Sequence, residues 1–315
     1  MTSTSKVLCP VDFSDASRVA VRFAGAIAAH FHARMIVLAV EDPLLTEAID
    51  LGTGVIWDPE ETRKELERFV TKALHAKPAH DLDLQYEVTV GAPAQQILHT
   101  AKKEACDLIV MSTHGLTGMR KLFFGSTTER VLRETTVPVL ATAPTDETPS
   151  SLEDARRMIG HILVPVDLTV ASLHQVQVAR GLSEALGVPM IATHVVEPVR
   201  SPLAIKLHLP RIELERRTRA EDALNELLAT VPRKLHPEAL VAFGDPAEEI
   251  VKIARDRKAG LIVVGLHGSP MTGPRMGSVT YRVLCLAHAL VLALPPSPVK
   301  SDPETAVDAR SFVHK

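Results

Sequence analysis

Aromatic residues are scarce in this chain of 315 amino acids, which holds one Trp, two Tyr and eight Phe, 3% of the sequence. A surface that stacks nucleic-acid bases needs exposed rings in series, so that scarcity argues against one. Charge of one sign is also lacking. Lys+Arg number 35 and Asp+Glu 38, a formal net charge of −3, so no bulk attraction to nucleic acid or anionic membrane is implied. Cysteine occurs three times, as Cys9, Cys106 and Cys285, with no Cys-x-x-Cys. Cys9 and Cys106 fall in or beside strand-like runs and read as buried free thiols. There is no basic-then-apolar leader and no apolar run long enough for a bilayer, so a cytoplasmic protein is expected. Neither a Gly-x-x-x-x-Gly-Lys-[Ser/Thr] loop, nor a Gly-x-Ser-x-Gly elbow, nor a metal-spaced His/Cys cluster occurs.

What the chain does contain is organised around Ser112-Thr-His-Gly115, continuing to Gly125-Ser126. The apolar run Asp107–Met111 before it reads as a buried parallel strand. After it, Ser126-Thr-Thr-Glu-Arg-Val-Leu reads as a helix that Ser126 can cap, with Val131 and Leu132 turned inward. Strand, glycine-bearing loop and helix start together make an anion site. Glycines admit a ligand close to the main chain, and the first N–H groups of the helix point at it. Phosphate is the anion expected.

The stretch returns. Asp12 recurs as Asp167, Gly91 as Gly244, Gly115 as Gly268 and Gly125 as Gly277, at offsets of 155, 153, 153 and 152 residues. A near-constant offset across four markers means tandem domains. The chain length agrees with about two domains, each able to bury a core.

On these residues both halves resemble the universal stress protein (UspA) domain. The pattern of its ATP-binding members is Gly, two residues, Gly, nine residues, then Gly and Ser or Thr. The first half keeps Gly115, nine residues and Gly125-Ser126, with Ser112 in place of the opening glycine. The second keeps Gly265, Gly268, Gly277 and Ser278, with eight residues between Gly268 and Gly277. The resemblance implies an α/β fold of two tandem Rossmann-like domains (adenine nucleotide alpha hydrolase-like), each a five-stranded parallel sheet flanked by helices. It also implies ATP, with or without Mg2+, as ligand. Asp12, an acceptor when ionised, would sit beside the adenine with the main chain of Val40. Met111 and Ser112 would border the ribose, and Gly115, Gly125, Ser126 and Thr127 would hold the phosphates. Asp167, Gly265, Gly268, Gly277 and Ser278 would form a second, weaker site, because the shorter loop carries Pro270 and Pro274, which lack an N–H.

Strand and helix alternate through both halves, which implies parallel sheets with ligands beyond the strands' carboxyl ends, where strand order reverses. The expected division is domain 1 over 1–143, a linker over 144–160, domain 2 over 161–294 and a disordered proline-bearing tail over 295–315. Residues 41–57, with a lone Gly52-Thr-Gly54, read as a flap or partner surface. Val139–Ala143 and Leu290–Leu294 come last in their domains and read as sheet edges expected to pair within one chain. A homodimer is the further assembly this leaves open.

His114 and His267 recur at matching positions but have no acidic residue in their loops, so they read as loop imidazoles and no catalytic residue is assigned. Arg120 and Lys121 read equally as screening phosphate charge or as solvated loop residues. At most slow ATP hydrolysis is expected. Two functions follow: an adenine-nucleotide-binding regulator of the stress response, or a nucleotide-free interaction and dimerisation module. An enzyme of the wider adenine-nucleotide α/β group would need activating residues that the sequence does not display.

Overall fold

The computed structural model describes residues 5–43, 58–74, 82–113, 125–143, 149, 152–198, 209–229, 231–232, 235, 237–269 and 273–296. Residues 44–57 of the expected flap, the loop residues His114, Gly115, Arg120 and Lys121, and the tail beyond 296 lie outside the described residues.

In the first half β1 (Lys6–Val11), α1 (Asp15–Phe31), β2 (Arg34–Glu41), α2 (Pro59–Ala73) and β3 (Leu84–Val90) are followed by α3 (Pro93–Lys103), β4 (Leu108–Ser112), α4 (Ser126–Glu134) and β5 (Val139–Thr142). A connecting helix, α5 (Leu152–Ile159), leads to β6 (Ile162–Pro165), α6 (Val170–Leu186), β7 (Met190–Val196), α7 (Leu209–Leu228) and β8 (Glu238–Phe243). Then come α8 (Pro246–Asp256), β9 (Leu261–Gly265), the short strands β10 (His267–Ser269) and β11 (Gly273–Arg275), α9 (Ser278–Leu286) and β12 (Leu290–Leu294).

Local chemistry accounts for the helix starts. Ser14 caps α1 by accepting from the N–H of Ser17, and Asp58 caps α2 by accepting from Glu60, with Pro59 in the first turn. α4 departs from expectation. Gly125 is its N-cap, with extended backbone, and Ser126 is already helical, so the helix has no side-chain cap. α9 repeats this with Gly277 as N-cap.

The two sheets meet at the edges expected to pair. Each half contributes the expected five parallel strands, and together they form one sheet of ten, ordered β3-β2-β1-β4-β5-β12-β9-β6-β7-β8. The junction is antiparallel, with Ala141 opposite Val291, Leu140 opposite Leu292 and Val139 opposite Ala293. All three residues of β5 in that ladder are buried, so leaving the strand as a free edge would expose apolar side chains and unpaired backbone together.

Core residues divide between the two faces. One layer packs residues of α1, α2, α5, α6 and α7, such as Phe23, Leu66, Ile159, Val176 and Leu224, against the sheet. The other holds residues of α3, α4, α8 and α9, such as Ile97, Leu132, Ile250 and Val283. β3 and β8, at the two ends, are only partly buried.

Candidate functional site

The order β3-β2-β1-β4-β5 reverses between β1 and β4, because β1 to β3 wind one way and β4 and β5 the other. A crevice opens at such a point beyond the strand ends. Here a proline widens it. β1 pairs with β2 along its whole length, from Lys6 to Val11, but with β4 only at Val7 and Leu8. The second half repeats this: β6 pairs with β7 through Pro165 but with β9 only at Ile162 and Leu163. The N–H of Val166 bonds to Thr193 on the β7 side, so the preceding position faces β9. That position is Pro165, which has no N–H to continue the ladder. Pro10 stands at the same point of β1, and the strands part where the ligand is expected.

The loop that leaves β1 holds a second shared device. Phe13 has φ 61° and Leu168 has φ 61°, a left-handed backbone unusual for side chains of this size. Tertiary packing holds the first in place: Phe13 meets Phe69 edge to face with centroids 5.6 Å apart, and Arg18 lies over the same ring. The bend turns the preceding aspartate towards the helix start. Asp12 Oδ1 accepts from Ser14 N at 3.1 Å and Ser14 Oγ at 2.6 Å, while no hydrogen bond among the described residues engages its Oδ2. Asp167 Oδ1 accepts from Thr169 N and Oγ1 and from Ser172 Oγ.

The structure brings most of the expected site residues to one end of the sheet. Val11 pairs with Ala39, which sets Asp12 beside Val40. Met111 and Ser112 end β4, and Thr128 Oγ1 in the first turn of α4 donates to Ser112 O at 2.9 Å. Gly125 N donates to Thr113 O at 3.0 Å, so the helix start is tied to the strand end at two points. Ser126 is exposed and Thr127 half-buried at that start. A Cβ on Gly125 would meet nothing within 4 Å among the described residues, which leaves open space in front of the uncapped turn.

In the second half Asp167, Val195, Gly265 and Thr280 line a crevice of about 230 Å³, with Thr280 Oγ1 donating to Gly265 O at 3.1 Å. Gly277 and Ser278 begin α9 beside it. Gly268 is placed differently from a plain phosphate loop. It lies in the two-stranded ribbon of β10 and β11, opposite Pro274, which satisfies main-chain groups within the loop itself. β11 lies against α4, the helix of the first crevice.

Position-by-position comparison of the halves exposes residues that motif reading missed. Ala20 and Gln175 each stand six residues after their helix caps, Ser14 and Thr169. Leu38 pairs with Pro10 as Thr193 pairs with Pro165, so Leu38 and Ala39 correspond to Thr193 and His194. The first half is apolar at all three positions, and the second is polar. Aligning the repeats beyond their glycines would have revealed this.

Other charged groups near the strand ends are structural. Arg282 of α9 donates to Asp245 Oδ2 at 2.6 Å and Glu248 Oε1 at 3.0 Å, and this holds the Asp245 carboxyl below its ordinary range. Burial pushes the Cys9 thiol well up, and the Cys106 thiol up to about 11. Among the described residues no group of His, Cys, Asp and Glu could hold a metal ion, and no helix is long and apolar enough to cross a membrane.

Comparison with known proteins gives consistent results. The model of the universal stress protein family matches twice, at residues 4–143 and 158–295. Universal stress protein MJ0531 of Methanocaldococcus jannaschii is 31% identical over 137 residues, which is 43% of this chain and 79% of the relative. Universal stress protein YxiE of Bacillus subtilis is 31% identical over 144 residues, 43% of this chain and 97% of its own. Among solved structures, a functionally unknown protein of Pseudomonas aeruginosa PAO1 superposes with a TM-score of 0.66 at 17% identity, covering 93% of both chains. A universal stress protein of Archaeoglobus fulgidus gives 0.61 at 18% identity, covering 92% of this chain and 96% of that one. These two likenesses concern the fold alone.

Proposed function

The chain belongs to the universal stress protein family, and on that premise we propose that it is an adenine-nucleotide-binding regulator of the stress response, with ATP held in the first-half crevice. One observation carries the reading. An uncapped helix start, tied to the end of β4 by Thr128, faces open space at Gly125, where the strands part beside Asp12. Uncapped N–H groups at the positive end of a helix dipole suit phosphate. Asp12 Oδ2, near the main chain of Val40, suits the amino group or ribose hydroxyls of the nucleoside. Gly115, Ser126 and Thr127 complete the set of phosphate donors. Charge-assisted bonds contribute roughly 1.5–3 kcal/mol each, so two to four of them support micromolar binding.

The division into domain 1 over 1–143, a linker over 144–160 and domain 2 over 161–294 belongs to the same proposal, as does the pairing of the two domains in solution. The β5–β12 ladder supports the pairing. Turnover is slow in this reading, below about 1 s⁻¹, since no activated nucleophile or paired base is assigned. The cytoplasm is the proposed compartment, in keeping with three cysteines that are all free thiols. Occupancy by nucleotide would change which surface the protein offers to partners.

Calorimetry with ATP on the purified full chain, joined to mass spectrometry of small molecules released on denaturation, tests this. Micromolar binding and a co-purified adenine nucleotide are the expected results. If neither is found, the nucleotide-free interaction module becomes the better reading.

A further inference from the structure

At the other end of the sheet from the crevices, beyond the amino ends of β9 and β12, a groove of about 530 Å³ lies between α8 and α9. That volume falls within the roughly 300–1,000 Å³ of sites that take small ligands. Its apolar lining includes Met158, Val251, Ala254, Ile262, Leu286 and Ala289. Lys252, Arg255, Lys258 and His288 line it as well, against Glu248 as the one carboxylate among the described residues.

The cations are free to turn to a ligand. Glu248, Lys252 and Arg255 follow at helical spacing, so they stand with Val251 on one face of α8. Lys252 and Arg255 are exposed, and their pairs with Glu249 at 3.2 Å and Asp256 at 3.4 Å contribute little. The Lys258 side chain has no hydrogen bond or ion pair among the described residues. Glu248 is offset by Arg282 at 3.0 Å. The carbonyls that end α8 would repel an anion, but the turn that follows engages them: Arg257 N donates to Ile253 O, Lys258 N to Arg255 O and Ala259 N to Ala254 O.

The first half lacks this chemistry. Thr135 and Ala287 end the last helices alike, and the left-handed Ala105 (φ 51°) and Lys258 (φ 52°) mark the same turn after α3 and α8. By that alignment Glu134 gives way to Leu286, Thr135 to Ala287, Ala105 to Lys258 and Asp107 to Gly260. Thr135 Oγ1 donates to Val137 O at 2.7 Å, and Asp107 Oδ2 accepts from Lys6 N at 2.8 Å. Gly260 instead admits the end of α5, since a Cβ there would collide with the carbonyl oxygen of Met158, and Met158 becomes part of the groove. An acidic, polar surface in one half is an apolar wall with a cationic rim in the other.

Such a surface complements a molecule that is apolar along its body and anionic at one end. A compact polyanion would leave Val251 and Leu286 uncovered, and a neutral chain would leave Lys258 unpaired. We propose that this groove binds a fatty carboxylate of medium chain length, with its chain against Val251 and Leu286 and its carboxylate at Arg255 and Lys258. The site is remote from both crevices and stands independently of ATP in the first.

The test uses the full chain with labelled isoleucine methyl groups and octanoate as the probe. Ile262 lines the groove, and Ile109 is its counterpart in β4. Millimolar octanoate should shift the Ile262 methyl saturably and leave Ile109 unmoved. Acetate has the charge without the chain and should move neither; octanol has the chain without the charge and should bind at least about tenfold more weakly. Leu286→Glu copies position 134 of the first half and should abolish the shift. Arg255→Ala with Lys258→Ala changes only exposed side chains, and Ala105 already holds the same backbone as Lys258, so this double variant folds. It should weaken octanoate by about tenfold or more. The proposal is overturned if octanoate leaves Ile262 unmoved, if Ile109 moves in parallel, if octanol binds as tightly, or if the double variant keeps full affinity.

Discussion

Thr128 Oγ1 donates to the carbonyl oxygen of Ser112 at 2.9 Å, and Thr280 repeats the bond to Gly265 at 3.1 Å. In each half one buried hydroxyl fixes the first turn of the last helix against the end of the fourth strand. Valine has the same shape and lacks the donor. Thr128→Val and Thr280→Val should each lower unfolding stability by about 1 kcal/mol in urea. Because the two sites are separate, the double variant should show the sum within about 0.5 kcal/mol. A double variant no worse than either single change would contradict independent anchoring.

Gly125 has φ −61° and ψ 146°, which any residue adopts, and a Cβ there meets nothing within 4 Å among the described residues. Gly125→Val should therefore change folding stability by no more than about 0.5 kcal/mol while obstructing a phosphate in front of the helix. Calorimetry should show the ATP site lost in this variant and largely kept in Gly277→Val. The reverse pattern would place the nucleotide in the second half.

Lys6 holds the Glu104 carboxyl below its ordinary 4.5, chiefly through a hydrogen bond, and Arg282 holds that of Asp245 below 3.8 in the same way. A carboxyl depressed in the folded state binds its proton more readily when unfolded. Its contribution is complete above the ordinary value and is lost as pH falls through the folded one. Stability should thus decline from about pH 4.5 downward, and Glu104→Gln with Asp245→Asn should flatten that decline while lowering stability at pH 7. Urea titrations at pH 3 to 7 would reveal it; an unchanged slope in the double variant would discount both pairs.

Thiol reactivity should follow burial. Cys9 is 0% exposed and Cys106 6%, and burial raises both thiols, the latter to about 11. Cys285 is half-buried. At pH 7.5 an alkylating reagent should label Cys285 first, and the other two only when the protein unfolds. Peptide mapping that finds Cys9 labelled in the native protein would contradict the packing around β1.

The β5–β12 ladder predicts the behaviour of a half. With β12 removed, Val139, Leu140 and Ala141 lose their cover and β5 becomes an apolar edge. Residues 1–143 expressed alone should self-associate through that strand at micromolar concentration. Light scattering that shows a stable monomer would mean that the ladder is not needed to protect β5.

Much of this molecule was legible along the chain. Leu290–Leu294 is a strand at the bounds read from its apolar run. The tandem repeat followed from Asp12, Gly115 and Gly125 returning at a near-constant offset. A helix cap such as Asp58-Pro59 is a signal of the same local kind, because it is settled within four residues. Contacts between distant segments were not legible along the chain. Local signals mark β5 and β12 as edges expected to pair, but only the folded chain sets their antiparallel register within the sheet of ten. Pro10 and Pro165 are visible in the sequence, yet their effect depends on which neighbour each missing N–H would have faced, and strand order decides that. Gln175 lies 90 residues before Gly265 in sequence, and only packing of α6 on β9 sets its amide over that glycine. Periodicity and capping are properties of a few consecutive residues, whereas the shape of a crevice is a property of segments that the chain itself holds far apart.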